Sequence, residues 1–81
     1  MTPAQTTELL RLLPRWYGPD SRPRVTAEPL WWAALAPFPP EVALEALREW
    51  VRWHAGSCPT PQELAGQCRF EARQMAQDAR R

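Results

Sequence analysis

Apolar residues recur every three or four positions along most of this chain, the spacing of one face of an α-helix. Leu9, Leu12, Leu13, Trp16 and Tyr17 share one face of a first helix over residues 3–17, with Glu8, Arg11 and Arg15 opposite. A short second helix covers about 27–36. A third covers about 40–55, with a narrow polar face of Glu41, Glu45, Arg48, Glu49 and Arg52. Val42, Ala43, Leu44, Ala46, Leu47, Trp50, Val51, Trp53 and His54 fill the rest of its circumference, so it reads as a central helix touched from two or three sides. A fourth helix runs from 61 to about 79. Strand-like alternation joined by hairpin turns does not occur in the pattern. The expectation is an all-α domain over residues 1–81, with four helices, short proline-rich connections and a long C-terminal helix.

The helix ends carry their own chemistry. Thr2-Pro3-Ala4-Gln5 and Thr60-Pro61-Gln62-Glu63 both read as capping boxes with proline at the first helical position. Pro29 and Pro40 also fall in first turns, where no intrahelical N–H bond is needed. Pro37 ends the second helix. Gly18-Pro19 ends the first, and Gly56 is the expected C-cap of the third. Pro14 alone falls inside a helix and predicts a kink or break. Glu45–Arg48 and Glu49–Arg52 are expected i,i+3 ion pairs.

Composition refines this picture. Ten prolines in 81 residues suggest disorder on their own, but 44% of residues are hydrophobic and five are tryptophan. The buried surface is expected to be dominated by Trp16, Trp50 and one of the adjacent pair Trp31 and Trp32. The other of that pair, or Trp53, is expected to be partly exposed. The ten basic residues are all arginine and balance nine acidic ones, for a net charge of +1. That is not the surplus of a nucleic-acid binder. No apolar run is long enough to span a bilayer, and the N-terminus lacks the pattern of a secretory signal. The expected setting is the reducing cytoplasm of a bacterial host, with two free cysteines.

Catalytic chemistry has little to work with. There is one histidine, no glycine-rich phosphate loop and no nucleophile beside an evident base. His54, Cys58 and Cys68 lack the fourth ligand and the paired spacing of a structural zinc site. His54 is expected half-buried near a helix C-terminus, and Cys68 in the core. The reading is a non-enzyme without metal or cofactor.

The fourth helix is the most informative segment. Leu64, Ala65, Cys68, Ala72, Met75, Ala76 and Ala79 form an apolar stripe that weakens after Cys68. Arg69, Arg73 and Arg80 line one flank; Glu63, Glu71, Gln74 and Asp78 line the other. Phe70 projects opposite the stripe. At 1.5 Å per residue the helix spans about 30 Å, so its second half is expected to extend past the core. Arg69, Phe70, Arg73 and Met75, with Trp53, are the candidate partner-binding residues.

Trp31-Trp32-Ala33-Ala34-Leu35, Pro37, Glu41-Val42, Ala46-Leu47, Pro59-Thr60 and Glu63-Leu64 resemble the phage and prophage replicative-helicase loader/inhibitor family. Thr7-Glu8-Leu9-Leu10 and Val25-Thr26 extend the resemblance over roughly residues 2–68. Ser57-Cys58 departs from the family's pattern of an aromatic or aliphatic residue and a proline. The resemblance implies a small all-helical adaptor without an ATP site. Such an adaptor binds a hexameric replicative helicase, holds off its ATPase and unwinding, and delivers it to an initiator protein. The family's gripping segment lies beyond the folded domain; here the residues after Cys68 read as helical. The alternatives are a DNA-binding helix-turn-helix built on the second and third helices, and a module that self-associates through exposed tryptophan. Against the first, Glu41, Glu45 and Glu49 would repel phosphates.

Overall fold

A computed structural model of the chain describes residues 1–79. Arg80, placed by the pattern on the basic flank of the last helix, lies outside the described residues. Among them the fold is all-α, without strands: α1 (Pro3–Leu10), α2 (Leu13–Tyr17), α3 (Glu28–Leu35), α4 (Pro40–Trp53) and α5 (Pro61–Ala79). Single 3-10 turns at Pro19–Ser21 and Val25–Ala27 fill the connection between α2 and α3. One core draws Leu9 and Leu10 from α1, Leu13 from α2, and Trp31 and Leu35 from α3. Val42, Ala43, Ala46 and Leu47 from α4, with Leu64 and Cys68 from α5, complete it.

The proline punctuation holds at the helix starts. Thr2 Oγ1 accepts from the Gln5 backbone N–H at 3.1 Å, while Gln5 Oε1 accepts from the Thr2 N–H at 2.9 Å. Thr60 and Glu63 make the same reciprocal pair at 3.1 and 3.0 Å. Each box satisfies two donors that a bare helix end leaves unpaired. Replacing Thr60 by Ala should therefore cost about 1 kcal/mol of unfolding free energy. A chemical denaturation series checks this, and an unchanged midpoint would contradict it.

Pro14 divides the expected first helix in two. Without an N–H it cannot bond the Leu10 carbonyl, and a turn at Arg11–Leu12 separates α1 from α2. The break shifts the helical phase. Leu13 is buried and Tyr17 half-buried, but Trp16 is 42% exposed, so it does not share in the core as its spacing suggested. Leu10, off the expected apolar face, is buried because α1 packs against both α3 and α4.

The C-terminal ends differ from expectation in two places. α4 stops at Trp53, and His54, not Gly56, is its cap, with a backbone N–H bond to the Trp50 carbonyl at 2.7 Å. Gly56 has no left-handed backbone; Gly18, with φ of 89°, is the glycine that uses that freedom. His54 is exposed, not half-buried, and stacks on Trp50 with ring centroids 4.0 Å apart. Trp53 also faces solvent, so the apolar arc of α4 is narrower than its sequence suggests. Trp50 Nε1 donates to the Ser57 carbonyl at 2.7 Å and ties the α4–α5 connection to the core.

α3 is held at its C-terminal end. The Met1 ammonium donates to the carbonyls of Ala36 and Phe38 at 2.9 and 2.6 Å, where a cation suits the helix dipole. Trp32 Nε1 donates to the Met1 carbonyl at 3.1 Å. The expected ion pairs Glu45–Arg48 and Glu49–Arg52 form at 3.9 and 3.6 Å. They lie at the surface and contribute little to stability.

Candidate interaction surface

α5 positions the candidate residues. Leu64, Ala65, Cys68 and Glu71 face α3 and α4 and are buried. Every residue from Arg73 to Ala79 is exposed. The last two turns of α5 therefore project past the core, as its weakening stripe indicated. The molecule measures 41 Å along its longest axis and 17 Å along its shortest.

Arg69, Phe70 and Arg73 fall together on the side of α5 turned away from the core, and all three are exposed, Phe70 at 53%. Met75 does not join them. It lies about 140° around the helix from Phe70, on the core side but beyond the core's end. Trp53 is on a different helix; its indole is 72% exposed and donates to Glu49 Oε2 at 2.9 Å. The five residues thus divide into a three-residue strip and two separate side chains. Glu71, expected on a polar flank, is buried because α5 is covered from two sides. Its Oε1 accepts from Gln67 Nε2 at 3.0 Å.

α3 leaves further apolar side chains exposed. α3 carries one charge, Glu28, and exposes apolar side chains on two flanks about 160° apart: Leu30 at 65% on one, and Trp32 at 40% beside Val25 at 77% on the other. The available signal was a helix apolar all round in a domain too small to surround it. Trp31 takes the buried place and Trp32 the exposed one. A groove of about 460 Å³ runs beside Trp32, lined also by Thr6, Val25 and Pro29. Another of about 460 Å³ opens between α1 and α4, lined by Glu8, Leu9, Leu12 and Leu44 among others.

Three ionisable groups lie in or against the core: Tyr17, Cys58 and Cys68. Among the described residues, no cluster of three His, Cys, Asp or Glu side chains could hold a metal ion, and Cys58 and Cys68 are free thiols. Tyr17 Oη is enclosed without a hydrogen-bond partner among the described residues, and burial, with Cys58 nearby, pushes its titration up. Burial likewise raises Cys58, with Glu63 adding to it. Burial pushes the Cys68 thiol up to about 11, with Arg69 pulling slightly down and Glu71 pushing up. Between the ordinary value of 9.0 and about 11, the unfolded chain loses this proton while the folded one keeps it. Stability is thus fully present below pH 9 and falls as pH rises toward 11, by about 2 to 3 kcal/mol from this group. Urea midpoints across that window, under reducing conditions, should decline, and Cys68→Ala should lose the greater part of the slope. A slope unchanged by that substitution would contradict the assignment.

The fold and this surface define a small all-α domain with an exposed arginine–phenylalanine strip on a projecting helix. Comparison with protein families, curated proteins and solved structures gives no match.

Proposed function

We propose that this protein is a non-catalytic interaction adaptor of the bacterial or phage cytoplasm, and that its partner is a hexameric replicative helicase. The observation that carries the adaptor reading is the outer strip of α5. Arg69 and Arg73 flank an exposed phenylalanine on a helix that outruns the core. Arginine and aromatic side chains are enriched in protein interfaces, and an exposed Phe gains most by being covered. The partner's identity rests on the resemblance of residues 2–68 to helicase loader/inhibitor proteins, which supply no catalytic groups of their own. The Glu41, Glu45 and Glu49 row on α4 weighs against the DNA-binding alternative.

Mixing the chain with a purified bacterial replicative helicase and following ATP hydrolysis tests the reading. Saturable suppression of hydrolysis is expected. Unaltered hydrolysis together with tight, steeply salt-dependent binding of duplex DNA would replace it.

A further inference from the structure

The outer face of α5 has a feature that the fold does not require. Gly66 sits in the helix interior, where glycine is less favourable than any residue except proline. It lies within about 60° of Arg69, Phe70 and Arg73 around the helix, on the side away from the core. A methyl group placed there would meet only the Arg69 guanidinium, 3.8 Å away, among the described residues. Its φ is not in the left-handed region, so the backbone does not demand glycine either. Packing within the chain therefore gives no reason for a missing side chain. What a helical glycine permits at such a place is close approach of another backbone.

The charges beside it say which kind. Among the described residues, neither Arg69 nor Arg73 takes part in an ion pair, although Arg11 at the end of α1 and Arg48 and Arg52 on α4 do. The stretch from Gly66 to Arg73 has one outward apolar group, Phe70, and its acidic member Glu71 is turned into the core. The geometry points to a docking site for an acidic amphipathic helix of a partner protein. Its backbone crosses α5 at Gly66, its apolar face covers Phe70, and its carboxylates pair with Arg69 and Arg73. A second copy of this chain fits less well. Its α4 row of Glu45 and Glu49 is already paired with Arg48 and Arg52, which would be carried onto Arg69 and Arg73. This site rests on the reading of the chain as an interaction module and specifies the chemistry of the partner.

The test uses a fluorescein-labelled helical peptide of about 20 residues with Leu at i,i+4 spacing and Glu on its flanks. The same peptide with Lys for Glu and a single-stranded oligonucleotide serve as controls, all titrated by anisotropy at low ionic strength. The acidic peptide should bind saturably and the controls should not. Arg69→Glu/Arg73→Glu and Phe70→Ala should each weaken binding about tenfold or more. Gly66→Ala should weaken it several-fold while raising the melting temperature by about 4 to 8 °C, because alanine is the better helix former. Equal binding of the basic peptide, tighter binding of the oligonucleotide, or unchanged affinity in Gly66→Ala would overturn the site. Helicase suppression that survives Arg69→Glu/Arg73→Glu would remove this site and leave the adaptor reading standing. Peptide binding without any effect on the helicase would do the reverse.

Discussion

Trp31→Ala should lose about 3 to 5 kcal/mol of unfolding free energy, a large part of what a domain this size holds. The indole is 5% exposed, packed where α3 meets the core beside Leu35 and Leu9. Removing it takes away apolar burial and leaves a void that short helices cannot close without losing other contacts. The neighbouring Trp32→Ala should cost about 1 to 2 kcal/mol. Its ring is 40% exposed, and its main specific contact is the hydrogen bond to the Met1 carbonyl. Urea titration followed by far-ultraviolet circular dichroism separates the two. Equal losses at the two adjacent positions would contradict the orientation of α3.

Leu47→Ala should lose about 2 to 5 kcal/mol by the same cavity mechanism. Leu47 is fully buried on α4, with Ala43 and Ala46 as close neighbours on its helix. Those alanines are too small to fill a vacated leucine site. Leu44, half-buried and lining the groove between α1 and α4, should cost about 1 kcal/mol when truncated. The comparison matters for function as well as stability. A small loss at Leu44 means that the groove can be altered without unfolding the domain.

The helix starts were legible in the sequence because proline and threonine act locally. A capping box needs four consecutive residues, and both form with the predicted partners. The break at Pro14 was legible for the same reason, but its consequence was not. Whether Trp16 turns inward depends on how α2 is re-aimed after the break, which is set by tertiary packing. His54 and Gly56 show the same limit at the end of α4. A glycine after a periodic run suggests a left-handed cap, yet the stacking of His54 on Trp50 goes with an earlier stop. The burial of Glu71 follows from coverage of α5 on two sides, which periodicity on a single helix does not reveal.

The candidate surface was partly legible. Arg69, Phe70 and Arg73 stand out from the helical pattern alone, because they lie off the apolar stripe. Met75 belongs to that stripe by spacing and turns to the other side of α5. Trp53 is exposed as one of the anticipated alternatives, but it forms no patch with the strip. Gly66 carries no signal until the space around it is known, since a helical glycine is informative only when no contact within the chain explains it. That α3 leaves apolar surface exposed follows from a helix apolar all round in a small domain, but packing decides that Leu30 and Trp32 carry it.

Sedimentation velocity of the chain mixed with a purified bacterial replicative helicase hexamer tests the central claim most directly. The chain should co-sediment with the hexamer, and Arg69→Glu/Arg73→Glu should shift most of it back to the free boundary while remaining folded. A chain that sediments apart from the helicase at every ratio would contradict the account.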